Sequence, residues 1–341
     1  MSTPTMGSET LGHLSEEALP GDEAPATKRQ VSGKSPLRIA AGRLRQDKVA
    51  MVCLTIVVIF GLIAIFAGTI AGWFNVTTTP GNPAEDLNYL NGGMPYKGPP
   101  NGSFDPDHPF GIAPKTATDN LATWLYGCRT SMMIATSATI LASLLGIVLG
   151  LVAGFVGGIV DKIISFVTDL FLTLPFLLMA LVIAPILSER FALKPDTYKQ
   201  MQLLSLIVIL AGFGWMGVAR LVRGEVLSLR EREFILSSQV IGMSTPRIMF
   251  KELLPNLVAP IVVAISLMLP AFIAAEAGLA YLGVGITQGS SWGQTILQAS
   301  SYFEHYPLYL WEPLLGIVVL VLALNLLGDA IRDAVDPKTR R

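Results

Sequence analysis

Charge is what this sequence has least of. Of 341 residues only 14% are charged, against about a quarter in soluble domains, so the chain cannot surround itself with a solvated polar shell. Cysteine and histidine are also scarce, with 2 and 3 copies, which leaves no basis for a disulfide framework or a metal cluster. Cys53 and Cys128 lie in or beside apolar segments and read as small buried hydrophobes, and His108 stands alone and is not assigned as a ligand. No Gly-x-x-x-x-Gly-Lys-Ser/Thr loop is present to cradle nucleotide phosphates. No Ser-His-Asp or Cys-His arrangement can be assembled either. The chain is therefore expected not to be an enzyme, with no catalytic residue and no metal.

What is plentiful is apolar sequence in long blocks: 52% of residues are hydrophobic and the mean hydropathy is +0.56. A helix needs about 20 apolar residues to cross the hydrocarbon core. Six segments meet that length, at about 49–73, 129–153, 163–187, 203–222, 257–283 and 308–330, so the expected class is an all-α membrane protein with six transmembrane helices. Gly154-Phe155-Val156-Gly157-Gly158 divides the second from the third. Gly283 and Gly285 are positioned to end the fifth early.

Residues 1–36 are polar and rich in Pro, Gly and Ser, and read as a disordered cytoplasmic tail. Arg38, Arg43, Arg45 and Lys48 lead directly into the apolar run Val49 to Ala71. That run exceeds the roughly 7–15-residue core of a cleavable signal, so residues 37–74 are expected to be a basic segment followed by a retained first helix. With the N-terminus placed inside, 18 of the 24 Lys and Arg fall on the cytoplasmic side. By the positive-inside rule both termini are cytoplasmic. Residues 75–125 then form an external loop, 126–330 a five-helix core containing a cytoplasmic loop at 224–256, and 331–341 a cytoplasmic C-terminus. The external segment, rich in Pro, Gly, Asn and Asp, reads either as a flexible loop or as a structured cap that meets an external partner.

The loop at 224–256 is the most patterned stretch. Phe234 and Ile241 stand seven apart, with Ser237 and Ser238 between them, so the four share a helical face that is bulky at its ends and small in the middle. Such a face suits a groove on another protein, or a linker helix packed on its own bundle. Gly242 fits a left-handed helix stop. Thr245-Pro246 fits an N-cap followed by proline at the first helical position. The second helix then reaches Leu254-Pro255-Asn256 at the membrane.

Within the apolar segments, Gly146, Gly150 and Gly154 recur at four-residue spacing, which lets helices approach closely. Packing within the chain and packing against another subunit both fit. Asp169 and Glu276 lie in or near the third and fifth segments. A carboxylate at the bilayer centre costs about 2.5–3.5 kcal/mol on the insertion scale, so each is expected to face the bundle interior, a partner or water. They are candidates for a polar lining, or for structural hydrogen bonds between helices.

Several of these segments resemble the dipeptide/oligopeptide/nickel permeases of ABC importers, in the subunit type with the shorter external region. The loop is similar to their coupling loop, which runs Glu-Ala-Ala, three residues, Gly, then Leu-Pro about a dozen residues later. Gly242 and Leu254-Pro255 are in register, while Leu236-Ser237-Ser238 takes the Glu-Ala-Ala positions without the acid. Tyr126-Gly127-Cys128-Arg129-Thr130-Ser131, Glu276-Ala277-Gly278-Leu279, Ser291-Trp292-Gly293 and Asn325-Leu326-Leu327-Gly328-Asp329 match further motifs in order, and the likeness covers about 35–341. Residues 112–119 depart from the family's usual Thr-Asp-x-x-Gly-Arg-Asp.

The resemblance implies a type I ABC-importer permease fold in a bacterial inner membrane, and a pore-forming subunit for di- or oligopeptides or related solutes. It also implies a homologous second permease, two ATPase subunits holding ATP and Mg, an external solute-binding protein and surrounding lipid, with no cofactor in this chain and no nucleic acid. Phe234, Leu236, Ser237, Ser238, Ile241, Gly242, Leu254 and Pro255 would couple to the ATPases. A different class of function, a secondary transporter or channel driven by an ion gradient, would usually show inverted repeats and intramembrane ion sites. No internal repeat is evident here.

Overall fold

A computed structural model describes residues 36–99, 104–189, 195–287 and 289–335. The expected tail, apart from Pro36, and the last six residues lie outside them. The chain begins with α1 (Pro36–Gln46) and α2 (Lys48–Trp73). They are separated by Asp47, whose carboxylate accepts from the backbone of Val49 and Ala50 at 2.9 and 3.2 Å and so caps the membrane helix.

Five helical stretches are long and apolar enough to cross a bilayer: α2; α4 (Asn120–Val156); Thr197–Leu229 within α7 (Pro195–Leu229); Thr245–Tyr281; and α12 (Pro307–Val335). The third expected span is not one helix. It is α5 (Gly158–Thr173) and α6 (Phe176–Glu189), bent by 92°. The cause is Pro175, which disfavours helical geometry at the residue before it; Leu174 is extended, at φ -79 and ψ 128. The Phe213 ring of α7 sits in the elbow, with centroids 5.7 Å from Phe171 on one side of the break and 5.9 Å from Phe176 on the other.

The helices also outrun the apolar segments that announce them. α4 starts at Asn120, capped by Asp119, nine residues before the expected 129. α7 runs on to Leu229. The fifth span begins at Thr245 rather than 257, as α9 (Thr245–Ile248), a single π turn over Met249–Leu253 and α10 (Leu254–Tyr281). It ends just before Gly283, whose φ of +86 turns the chain out of the helix.

α4 is the centre of the bundle. A Cβ on Gly146 would lie 2.7 Å from the Val218 side chain, one on Gly150 2.7 Å from Val222, and one on Gly154 2.8 Å from Val226. The paired numbers rise together, so α4 and α7 run parallel with their backbones in close approach. Two consecutive parallel spans require the chain to return between them, and α5 with α6 makes that return.

Residues 75–99 and 104–119 form a cap over one end of the bundle. It carries α3 (Pro83–Asp86) and a two-stranded antiparallel pair, β1 (Leu87–Asn88) and β2 (Met94–Pro95), with Leu87 opposite Pro95. Met94 and Ala113 pack with Ala299, Tyr306 and Tyr309, and the Tyr306 hydroxyl donates to Phe110 O and accepts from Asn120 Nδ2, each at 3.1 Å. Burial pushes that phenol above its ordinary pKa. His108 Nδ1 lies 2.7 Å from Asp119, so the lone histidine pairs with the residue that caps α4. Beneath the cap, Trp292 of α11 (Trp292–Ser300) donates through Nε1 to Trp124 O at 3.0 Å, and Trp124 donates to Glu312 O at 3.0 Å, which ties three helices together. At the opposite end of the bundle, Arg43 donates to Ala334 O at 3.4 Å, so the start of the described chain and the end of α12 share one side.

Candidate functional site: a helical docking face and a charged cleft

After α7 the chain makes a short turn into α8 (Glu233–Val240). Its anchor is Ile235, fully buried in a cluster with Ile248, Leu253, Leu257 and the α7 residues Val218, Val222 and Val226. The sequence pattern overlooks this residue because it lies outside the Phe234 to Ile241 face. With Ile235 turned inward, the other side of the helix is left bare. Val240 and Ile241 are 88% and 82% exposed, and Phe234, Leu236 and Ser237 are exposed as well.

The turn after α8 is a Schellman closure: Gly242 N donates to Gln239 O at 3.0 Å and Met243 N to Ser238 O at 3.0 Å. Gly242 has φ +80 and nothing within 4 Å of where a Cβ would stand, so glycine is needed there for backbone conformation and not for space. The helix that follows is capped at Ser244, one residue earlier than the sequence suggests, with Thr245 already helical. Leu254 and Pro255 lie where the π turn passes into α10; Leu254 is half-buried against the Ile235 cluster and Pro255 is exposed.

The two acids part company. Glu276 is fully buried inside the bundle, with the hydroxyls of Ser131 and Ser291 as its polar neighbours. In this conformation Glu276 is enclosed by its own bundle and reaches no open surface of the chain. Asp169, by contrast, lies on an open face of α5, in a cleft of about 390 Å³ shared with α7. There Arg220 Nη2 donates to Asp169 Oδ1 at 2.6 Å, and Arg223 donates to both oxygens of Asp161, at 2.5 and 2.8 Å. Arg220 and Arg223 are thus on a membrane helix and paired across it. Counted by sequence alone they fall with the cytoplasmic loop; without them the charge bias is 16 against six. Arg220, inside the fourth apolar segment, was the signal for this cleft. Gly146, Gly150 and Gly154 face α7 of the same chain. Among the described residues no group of three or more His, Cys, Asp or Glu side chains is placed to hold a metal ion.

A family model described as the binding-protein-dependent transport system inner membrane component matches residues 146–341, more than half of the chain, and a second, the N-terminal TM domain of oligopeptide transport permease C, matches residues 35–92. The chain belongs to this permease family. It is 34% identical over 300 residues to the oligopeptide transport system permease protein OppC of Bacillus subtilis, covering 88% of each chain. It is 32% identical to the dipeptide transport system permease protein DppC of Alkalihalophilus pseudofirmus, over 96% of this chain and 98% of that one, and 30% identical to OppC of Escherichia coli K12, over 98% of each. Among solved structures, inward-facing forms of the MetNI methionine ABC transporter match 63% of the permease and 96% of their chain, at 20% identity and a TM-score of 0.48. The permease is a multi-pass protein of the bacterial inner membrane and the pore-forming subunit of an ABC importer.

Proposed function

We propose that this permease supplies half of a peptide pathway, and that one of two ATPase subunits drives it by seating on α8. A homologous second permease completes the pathway and an external solute-binding protein delivers the peptide. ATP and Mg reside in the ATPases, and this chain contributes mechanical coupling. Both termini face the cytoplasm, as the charge bias requires. The observation that carries this reading is the face of α8: adjacent apolar residues, more than four-fifths exposed, on a helix held rigid by a buried anchor and a glycine closure. Apolar surface of that kind calls for a partner. Phe234, Leu236, Ser237, Ser238 and Ile241 present the contact, and Gly242 fixes its angle. Leu254 and Pro255 join the loop to the fifth span. The missing acid at Leu236 is consistent with docking through apolar contact. Peptide as the class of solute rests on the OppC and DppC relatives.

The test is co-purification. The ATPase subunits are expected to accompany the wild-type chain in stoichiometric amount, and Ile241→Asp is expected to lose them while the chain still inserts at normal abundance. Transport by this chain alone in liposomes without ATP would overturn the reading in favour of an ion-driven transporter.

A further inference from the structure

The two ion pairs between α5 and α7 are built differently. The Asp161–Arg223 pair is bidentate, its side chains 19% and 34% exposed, and Ser165 Oγ donates to the same carboxylate at 3.1 Å. It fastens the two helices. The Asp169–Arg220 pair is joined by one hydrogen bond, and its side chains are 65% and 60% exposed. A guanidinium has five N–H donors and a carboxylate about four acceptor positions, so most of the capacity of this second pair is open to the cleft. Charges so exposed on spanning helices cannot face hydrocarbon; they face water or another protein. The cleft is lined by Asp169, Arg220 and Arg223, the last already neutralised by Asp161, and Ser165 and Thr168 add hydroxyls to its wall.

We infer that Asp169 and Arg220 form an exchangeable pair that receives the two ends of a zwitterionic peptide, the α-ammonium on Asp169 and the terminal carboxylate on Arg220. This rests on the peptide-pathway reading. In the empty cleft the two side chains neutralise each other. When a peptide arrives, each exchanges its internal partner for a ligand end of the same charge, so no charge is stranded at any point. An extended chain spans about 3.3–3.6 Å per residue, so a tripeptide needs the pair to part by about 10 Å, most of it supplied by the long, exposed Arg220 side chain swinging away from Asp169 along the cleft. The neighbouring Asp161–Arg223 pair keeps the helices in place while this happens.

The test uses the whole transporter in nanodiscs, with Ser165→Cys as a reporter. Cys53 and Cys128 are 4% and 0% exposed, so background labelling of this chain is low, and modification is read on this chain after the subunits are separated. A membrane-impermeant thiol reagent is expected to modify the reporter, and trialanine to slow that modification. N-acetyl-trialanine amide, which lacks both end charges, is expected to give no protection. Adding Asp169→Asn should raise the trialanine concentration needed by about tenfold, the scale of one charge-assisted hydrogen bond. The exchange Asp169→Arg with Arg220→Asp should restore protection. An unlabelled reporter, or equal protection by the free and capped peptides, overturns the inference. ATPase co-purification from the same sample shows separately whether the transporter assignment stands.

Discussion

At the scale of single residues, glycine is used here for two different physical reasons, and the two predict different responses to substitution. Gly242 sits at positive φ in open space, so a side chain there meets backbone strain of about 1–3 kcal/mol and no clash. Gly242→Val is expected to leave insertion intact and to abolish peptide uptake; normal uptake at normal abundance would remove α8 from the drive. Gly150 is the reverse case, helical but closed in, where a Cβ would stand 2.7 Å from Ala219 O. Gly150→Ala should destabilise the bundle by about 1–3 kcal/mol, read as a lowered unfolding temperature in detergent. Gly212→Ala on α7, with nothing within 4 Å, serves as the silent control. The glycine spacing was legible in the sequence, but its partner was not, because α7 offers Val218, Val222 and Val226 as ordinary apolar residues with no sign of what they face.

At the scale of elements, the sequence disclosed what each helix is made of but not where it bends. Hydropathy averages over windows, and Leu174-Pro175 lies within an unbroken apolar stretch, so the 92° elbow leaves no trace in the count. The helix ends were hidden for a related reason. Residues such as Asn120 and Thr123 are helical because Asp119 caps them, though they add nothing to an apolar window. The turn at Gly242 was readable in advance, since a glycine closure is a local rule. The elbow should depend on Phe213, which touches both of its arms. Phe213→Ala is expected to lower stability by up to about 3 kcal/mol, below the full cost of a core aromatic because the ring is only half-buried. It should also loosen α6 against α7, seen as faster proteolysis or hydrogen exchange around residues 176–187.

At the scale of the whole molecule, the fold brings the two ends of the described chain to one side of the bundle, and that this side is cytoplasmic is a proposal resting on the charge bias. The bias was counted from the sequence alone. The contact between Arg43 and Ala334 brings the two ends of the described chain together without reference to charge. A fluorescent protein fused after Arg341 should therefore fold and fluoresce in the cytoplasm, and alkaline phosphatase inserted near Asn91 in the cap should be active outside; the opposite pattern would invert the topology. The charged cleft was only half legible at this scale. Asp169 was conspicuous as an acid in an apolar segment, but its pairing with Arg220, 51 positions away, is a product of the tertiary fold.

The parallel seam between α4 and α7 has a mechanical consequence. Ile235 of α8 belongs to the same packed cluster as Val218, Val222 and Val226, and those valines rest on Gly146, Gly150 and Gly154. Glycine contributes no rotatable side chain to this joint, and β-branched valine has little freedom of its own. The linkage therefore has almost no backlash. A small displacement of α8 reaches the far end of two helices, each roughly 50 Å long, as a tilt of the pair together and not as a readjustment of side chains along the way.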